Sequence, residues 1–314
     1  MIKYSLTRLI LVWIALIIFA ALVGDVAVAG SDVGRTSADF LQIGQGARAA
    51  GFGGAYTAVS DGAVSAYWNP AGLAGLERTE VSLGHFSWFQ DITVEQASFA
   101  LPLDVGPVLA ASITYVNYGT IDGYDAAGVP TGELTAYDWV GGISVGYPVT
   151  EALSVGLTGK FVNQRLDEYT ASTFAADLAF KYRLAGFAVG GAITNIGGKM
   201  TFDTESEDLP SAARLGVAAM PFDGALIASL DVEQRFQGDL IVRQGCEFGF
   251  QERYFLRAGY DYLPGQDGQG LSTAISFGGG LKFDFADIDY AYTPNDKSTS
   301  EDLHRFSVIL KLGH

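Results

Sequence analysis

Side chains of alternating polarity fill most of this chain from Thr79 onward, in fourteen segments of about nine to fifteen residues. A period of two is typical of β-strands that have one apolar and one polar face. The predicted strands cover 79–89, 92–103, 107–118, 135–149, 152–166, 169–184, 187–197, 211–221, 225–236, 239–250, 253–263, 271–283, 285–293 and 302–313. Forty glycines, 15 tyrosines and 20 phenylalanines, with only 17% charged residues, also favour an all-β protein.

The links between these segments alternate between short and long. Link 104–106 is tight, whereas links 119–134 and 198–210 are long and polar. Outer-membrane β-barrels have tight periplasmic turns and longer extracellular loops, and an even strand number puts both termini in the periplasm. Links 90–91 and 237–238 break the alternation because they are short, so a count two higher or lower also fits.

The polar face of the predicted strands carries acids and bases mixed along and between neighbouring strands. An unpaired charge facing hydrocarbon costs about 2–4 kcal/mol at the membrane midplane, so the lumen is the favourable side for these groups. The candidate lumenal ion-pair lattice consists of Lys160, Asp177, Lys181, Asp231, Glu233, Arg235, Arg243, Glu247, Arg257, Asp261, Lys282 and Asp287. The strands of a soluble β-sandwich would also alternate in polarity, but a sandwich would have to bury one face of each sheet, and the polar face here carries too many charges to be buried. We therefore predict a transmembrane antiparallel β-barrel of fourteen strands.

The first residues have the pattern of a secretory signal peptide. Lys3 and Arg8 precede an uncharged apolar run, 9–22, and Ala27-Val28-Ala29 offers a small-x-small cleavage site. A membrane-spanning helix needs about 20 apolar residues, more than this run contains. The predicted domains are a signal peptide at 1–29, an N-terminal hatch or plug at 30–78 and the barrel at 79–314.

The segment 46–76 is crowded with small residues. Glycine permits close backbone approach, so Gly51, Gly53 and Gly54 suit a chain that packs against a wall. Asn69 followed by proline predicts an N-cap and the first residue of a short helix that runs through Leu73. These features predict a plug inside the barrel.

Arg48 is the lone charge in the glycine-rich half of this segment. If it lies inside the barrel, it needs a lumenal carboxylate, and Asp231, Glu233 and Glu247 are candidates. The alternative is a solvated arginine on a periplasmic tail. We predict that Arg48 anchors the plug.

Two groups of residues in this segment resemble the hatch of the PorV/PorQ family of FadL-like outer-membrane β-barrels, whose motif reads AR-x-x-G-x-GGA followed by WNPAGLA. The matching residues are Arg48, Gly51, Gly53, Gly54, Trp68, Asn69, Pro70 and Ala71. In the resemblance, the tryptophan turn leads from the hatch into the first strand, and in FadL-type transporters the hatch helps to gate a hydrophobic path. A purely architectural role for the turn is the alternative.

The resemblance implies two functions of different class. PorV and PorQ are outer-membrane components of type IX secretion, so the first implied partner is a secreted protein or a secretion-machine subunit. In a FadL-like transporter, a hydrophobic ligand such as a long-chain fatty acid binds in the upper lumen and leaves laterally through the wall. A structural or adhesive barrel in contact only with outer-membrane lipid is a third possibility.

Composition argues against other classes of function. With 19 basic and 35 acidic side chains, the net charge is −16, so the Lys/Arg clusters that bind nucleic acid are missing. The three histidines lie near no nucleophile motif, although a pairing of His304 with Ser307 stays open as an enzymatic alternative. The acidic run Asp203, Glu205, Glu207 and Asp208 lacks the spacing of a calcium loop. We expect no cofactor, no metal and no enzymatic activity.

Some remaining positions have open interpretations. Cys246 cannot form an internal disulfide, and we expect a buried small residue rather than a reactive thiol. Consecutive glycines at 141–142, 190–191 and 278–280 either weaken the wall as a lateral opening or pack against the plug.

Overall fold

The computed structural model describes residues 36–88, 91–104, 106–202, 204–238, 240–263, 272–296 and 301–313. The predicted signal peptide lies outside the described residues, as do the first residues of the predicted hatch.

Fourteen antiparallel strands form a closed barrel, and a separate two-stranded hairpin stands beside them. The prediction of an all-β, fourteen-stranded barrel is confirmed. The strands before the separate hairpin are β1 (Thr79–Ser87), β2 (Thr93–Pro102), β3 (Val108–Tyr124), β4 (Pro130–Pro148), β5 (Leu153–Leu166), β6 (Tyr169–Leu184) and β7 (Phe187–Gly197). The hairpin is β8 (Met200–Phe202) and β9 (Glu205–Glu207), and the barrel continues with β10 (Ala212–Ala219), β11 (Leu226–Arg235), β12 (Leu240–Phe250), β13 (Tyr254–Leu263), β14 (Ser272–Lys282), β15 (Ala286–Asp296) and β16 (Glu301–Leu312).

The wall closes where β1 pairs with β16, from Thr79 opposite Leu312 to Phe86 opposite Arg305. Closure leaves no unpaired edge strand, which a sheet of this size would otherwise expose. The first and last residues of the wall therefore meet at the same end, which is the end of the tight turns. The opposite end, with the longer connections, is called the loop end below.

Two predicted loops are wrong in extent. The link 119–134 was expected to be irregular, but β3 and β4 continue through it as a hairpin with Thr120 opposite Thr135. Asp125 closes the tip, since its side chain accepts the N–H groups of Ala127 and Val129. The link 198–210 contains β8 and β9. Strand that projects beyond the apolar belt has no reason to alternate in polarity, so the pattern did not distinguish it from loop.

The outward parity of the barrel is apolar and exposed. Ile143, Phe174 and Leu256 are 67%, 72% and 69% exposed. An apolar surface this extensive requires an apolar surrounding. Cys246 lies on the same outward face, between the inward-facing positions 245 and 247, so the interpretation as a buried residue is wrong.

Residues 36–78, called the plug below, lie within the barrel and contain only short helical elements. These are 3-10 turns at Asp39–Gln42 and Pro70–Gly75 and α-helices at Ala47–Gly51 and Ser65–Trp68. In the described part of the chain, no helix is both long enough and apolar enough to cross a membrane.

Seven glycines of the wall face the plug, and we call them the wall glycines. A Cβ at any of them would lie within about 3.1 Å of a plug backbone atom, closer than real Cβ atoms tolerate without a shift. The wall glycines are Gly146, Gly156, Gly190, Gly216, Gly245, Gly259 and Gly278. The plug backbone thus packs directly on the wall, over strands from β4 to β14.

The plug also spans the seam at which the barrel closes. The N–H of Gly46 donates to Gln96 Oε1 on β2 at 3.1 Å, and the next N–H, of Ala47, donates to Ser307 Oγ on β16 at 3.0 Å. Two successive plug residues therefore hold strands from both sides of the seam.

Candidate functional site

Arg48 of the plug forms a bidentate ion pair with Glu247 of the wall. Its Nε and NH2 atoms each lie 3.0 Å from an oxygen of Glu247. NH1 donates to Asp61 Oδ1 at 2.7 Å and to the Tyr56 hydroxyl at 3.1 Å. Of the three predicted carboxylate partners, the structure brings Glu247 to Arg48. Asp61 escaped sequence reasoning because it belongs to the plug itself.

The charges around Arg48 hold one another ionised. Asp61 is more than half exposed, so only partial desolvation at the barrel wall opposes its ionised form, and Arg48 and Lys181 keep the pKa of Asp61 below its ordinary value. Burial also disfavours the charged form of Arg48, yet Asp61, Tyr56 and Glu247 raise its pKa above the ordinary value. Arg48 and Asp61 therefore each favour the ionised form of the other.

The Arg48–Glu247 ion pair is connected to further charged side chains of the wall. Arg257 lies 2.5 Å from Glu247 and 2.6 Å from Asp289. With Arg48, these groups line a polar cavity of about 760 Å³ at the tight-turn end. This tight-turn vestibule also contains Lys282, for which the described residues record no ion pair, while Asp287 pairs with Lys311 at 2.7 Å.

A second charge cluster gathers three arginines around one carboxylate. Glu233 lies 2.7 Å from Arg214, 2.9 Å from Arg243 and 3.3 Å from Arg235. Arg243 also approaches Asp261 at 3.8 Å. Arg214 was not among the predicted lattice residues; its signal was that it is the one charged residue of β10.

The other predicted lattice residues are divided among separate contacts. Lys160 and Asp177 form a buried pair at 2.7 Å. Lys181 donates to the carbonyl of Ser60, and Asp231 accepts the N–H of Thr57 at 2.7 Å. The residues of the predicted lattice thus form separate clusters, each in contact with the plug or with a neighbouring strand.

Lys160 and Asp177 hold an irregularity of the wall. The register between β6 and β7 shifts between Ala176 and Leu178, where Asn195 has a φ of 58°. Asp177 accepts the Asn195 N–H at 2.8 Å, and Lys160 donates to Asn195 Oδ1 at 2.8 Å. The ion pair therefore satisfies the backbone and side chain that this β-bulge displaces.

The tryptophan turn of the plug, Trp68–Asn69–Pro70–Ala71, is hydrogen-bonded both to other plug residues and to the wall. Asn69 caps the Pro70–Gly75 turn by accepting the Ala71 N–H, and its amide donates to Thr57 and, across to the wall, to the carbonyl of Phe180. Trp68 is buried and donates to the carbonyl of Gln45 at 2.8 Å. The predicted cap is present, on a 3-10 turn that reaches two residues beyond the predicted Leu73.

The glycine positions have structural causes. Gly53 and Gly54 have φ of 64° and 77°, which glycine adopts without strain, and Gly51 lies against Gly278. Gly190 meets the backbone of Thr57. At Gly190 and Gly278 the structure supports close packing against the plug rather than a gap, because the strand register continues through both.

An apolar cavity of about 530 Å³ opens at the loop end. This loop-end cavity is lined by Tyr118, Ile121, Ala136, Asp138, Gln164, Arg165, Leu166, Tyr169 and Phe202. Three of its polar side chains already bond to one another: Asp138 accepts a hydrogen bond from the Tyr118 hydroxyl at 2.7 Å and another from the Gln164 amide at 3.0 Å. The remaining surface suits a hydrophobic molecule.

Beneath this cavity the lumen is filled by hydrophobic side chains, called the lumen cluster. Tyr118 and Phe202 of the cavity pack against it. Its members are Ala38, Phe40, Leu41, Ile43, Phe86, Ile92, Val94, Val116, Val162, Ala171, Ala175, Met200, Leu209 and Leu303. Sequence reasoning missed the cluster, although Val94, Val116 and Val162 sit on the polar parity of their strands, which was a usable signal.

His304 and Ser307, the pair weighed for catalysis, do not meet in the structure. His304 faces outward and lies 2.7 Å from the Tyr290 hydroxyl, whereas Ser307 is buried and accepts from the plug. They occupy opposite faces of β16, so the proposed pairing is wrong.

The fold and interior define a plugged, fourteen-stranded barrel with an ionic mid-section and an apolar loop end. The chain belongs to an uncharacterised protein family, UPF0164, whose model matches residues 25–197, more than half of its length. No curated protein matches the sequence.

Solved structures share the fold. The Ralstonia pickettii toluene transporter TbuX aligns with a TM-score of 0.63 at 15% identity, over 86% of this chain and 99% of that one. The CymD monoaromatic hydrocarbon channel aligns with a TM-score of 0.62 at 13% identity, over 87% of this chain and 98% of that one. A Pseudomonas aeruginosa FadL homologue aligns with a TM-score of 0.60 at 11% identity, over 86% of this chain and 98% of that one. The barrel is therefore FadL-like in fold, while the resemblance to PorV/PorQ stays a prediction.

Proposed function

We propose that this protein is an outer-membrane channel that takes up a small hydrophobic molecule from the loop end. The observation that carries the proposal is the apolar loop-end cavity, which packs directly on the lumen cluster through Tyr118 and Phe202. A water-filled pore would not line its lumen with buried valine and phenylalanine. The fold shared with a toluene transporter and a monoaromatic hydrocarbon channel supports the same class of cargo.

The outer membrane is the proposed location. An apolar outward belt and a closed wall are what a bilayer requires of a spanning sheet. Thr79 and Leu312 meet at the tight-turn end, so this end and both ends of the wall face the periplasm in our proposal. The predicted signal peptide supports export.

The plug directs the proposed route sideways. Its backbone packs on the wall glycines, between the loop-end cavity and the tight-turn vestibule. A hydrophobic molecule also gains nothing by entering a vestibule lined with charges. We therefore propose that the cargo leaves through the wall into the membrane.

Filling the loop-end cavity tests the proposal. Ala136 lines this cavity and is buried, so Ala136→Trp would occupy the space, whereas Ala111→Trp adds the same ring on the outward face of β3. Equilibrium binding of radiolabelled toluene and dodecanol is measured to protein in lipid nanodiscs, with empty discs subtracted. We expect Ala136→Trp to weaken binding at least tenfold and Ala111→Trp to leave it unchanged. Absence of binding to the unaltered protein would overturn the proposal.

A secretion role is the second candidate, supported by the hatch residues that resemble PorV/PorQ. In that role the barrel would bind a secreted protein or a secretion-machine subunit at its loop end. Native mass spectrometry of the protein extracted gently from its own membrane separates the two. A stoichiometric protein adduct would favour secretion, a bound apolar small molecule would favour uptake, and a barrel that neither carries nor binds anything would leave a structural role.

A further inference from the structure

We propose that residues 120–124 of β3, called the free edge, are a docking site for an extended segment of another polypeptide in which basic and apolar residues alternate. The inference goes beyond the uptake function and does not depend on it. β3 pairs with β2 only as far as Asn117, opposite Thr93, but it stays paired with β4 as far as Tyr124. In the part of the chain that the structure describes, the free edge therefore has a strand on one side only.

The backbone groups of the free edge point alternately toward β4 and away from it. Thr135, opposite Thr120, turns its carbonyl away from β3, because that carbonyl accepts the N–H of Asp167. Thr120 and Thr135 thus form a non-hydrogen-bonded pair, and successive residues of an antiparallel strand alternate in direction. The N–H and C=O groups of Thr120, Asp122 and Tyr124 therefore point away from β4. Among the described residues, no backbone group bonds to them.

The other edge of the hairpin, on β4, is closed to strand addition. Pro130 has no N–H to offer, and the carbonyl of Thr135 is already occupied. Gly132 has a φ of 114°, which a regular strand does not adopt. The free edge contains no proline and no residue of positive φ. It is therefore the edge of this hairpin that can template a further strand.

The two faces of the free edge select different side chains in an added strand. Ile121 lines the loop-end cavity, whereas Thr120, Asp122 and Tyr124 are exposed on the other face. Opposed residues of paired strands share a face. The partner's inner side chains would lie beside Ile121 at the rim of an apolar cavity, so apolar residues fit there. Its outer side chains would lie beside the Asp122 carboxylate and the Tyr124 ring, both of which attract a cation.

A second copy of this chain does not fit the free edge. Residues 118–135 contain Asp122, Asp125 and Glu133 but no lysine or arginine, so two such hairpins would set like charges against each other. The β3 strands of two copies in one membrane also run in the same direction, which excludes antiparallel addition. A basic segment of another polypeptide meets neither obstacle, and we therefore infer a partner of that kind.

A decapeptide of alternating lysine and valine tests the site, with fluorescence anisotropy as the readout. The protein is held in nanodiscs of zwitterionic lipid, and empty discs are subtracted. Residues that exchange hydrogen bonds across an antiparallel pair share a face, so the lysine backbone N–H groups should bond to the free edge. We expect methylation of the lysine backbone nitrogens to weaken binding about tenfold or more, and methylation of the valine nitrogens to leave it unchanged. A peptide with glutamate in place of lysine should not bind.

A matched pair of variants tests the site from the side of the protein. Asp122→Pro removes an N–H of the free edge, and Glu133→Pro removes the N–H of the residue directly opposite, on the other edge of the hairpin. Each change also removes one carboxylate, and neither N–H belongs to the β3–β4 ladder. We expect Asp122→Pro to abolish binding of the decapeptide and Glu133→Pro to retain it. Urea unfolding shows whether both variants keep the barrel.

Several results would overturn the inference. These are no binding to the unaltered protein, equal binding of the two methylated peptides, which would show attraction by charge alone, and equal binding by the two proline variants. A dimer of the unaltered protein that Asp122→Pro dissociates would assign the edge to a second copy and overturn the choice of partner. The methylated peptides need no variant, so they decide even if a proline variant misfolds. Toluene binding is measured separately, so failure of the uptake function and failure of the docking site are distinguishable.

Discussion

Gly245 of β12 lies so close to Phe52 of the plug that an added Cβ would come within about 2.5 Å of the Phe52 carbonyl oxygen. The two residues are almost 200 positions apart in sequence, yet the wall has no side chain where the plug backbone passes. The same relationship recurs at the other wall glycines, so the fit of the plug depends on the absence of side chains at several strands at once.

We expect Gly245→Ala to loosen the plug and lower the free energy of unfolding by about 1–3 kcal/mol, as overpacking in a filled interior does. The measurement is urea-induced unfolding of the barrel, with limited proteolysis of the plug as a second readout. Gly159→Ala is the matched control, because nothing lies within 4 Å of an added Cβ there. Equal stability of the two variants would show that the wall glycines are not needed for the fit.

Arg48→Met should destabilise the protein strongly. The change leaves Glu247 with only Arg257 among its two arginine partners, and removing one member of a buried pair costs about 3–5 kcal/mol. We expect the lower part of that range, since one partner remains. Arg78→Met, which removes an exposed arginine at the tight-turn end, should have little effect in the same urea titration. Unchanged protease resistance of the Arg48→Met plug would contradict its role as an anchor.

The Asp61 contact should depend on pH. The pKa of Asp61 is lowered in the folded protein, so this group stabilises the fold above its unfolded-state pKa of about 4 and loses that effect as the pH falls through the folded value. The side chain is 61% exposed, so the contribution is at most about 1 kcal/mol. The difference in Tm between the unaltered protein and Asp61→Asn should be constant from about pH 6 to 8 and vanish in strong acid. A difference that grows on acidification would refute this sign.

Asn69 should be sensitive to the loss of its donors as well as its cap. Asn69→Ala removes the cap and both amide contacts, and we expect a loss of about 2–3 kcal/mol. Asn69→Asp keeps an oxygen for the Ala71 N–H but cannot donate to the carbonyls of Thr57 and Phe180. A thermal unfolding series should therefore rank the aspartate variant well below the unaltered protein; equal stability would mean that the cap alone matters.

The strands could be predicted from the sequence because a wall between hydrocarbon and an ionic lumen requires side-chain polarity to alternate along each strand. The same reasoning failed where that constraint ends. Residues 119–124 of β3 carry no such period because they project beyond the belt. The Arg48–Glu247 pair was among the expected options because charge type limits the partners.

Other parts of the candidate site depend on where the plug lies, which no local pattern contains. Asp61 meets Arg48 because the plug folds back on itself over 13 residues. Arg235 and Arg305 share a cavity although they lie on β11 and β16, which are not neighbours in the wall. Such pairings follow from the closed circumference of the barrel and the path of the plug, not from spacing along the chain.

The bridging of the seam by Gly46 and Ala47 has a consequence for assembly. The first and last strands must find each other across more than 200 residues, the kind of non-local pairing that slows folding. Through consecutive peptide groups the plug contacts β16 and β2, the strand next to β1, so it can hold both sides of the seam in register while β1 and β16 pair. The segment that fills the lumen of the finished barrel would thereby also align the strands that close its wall.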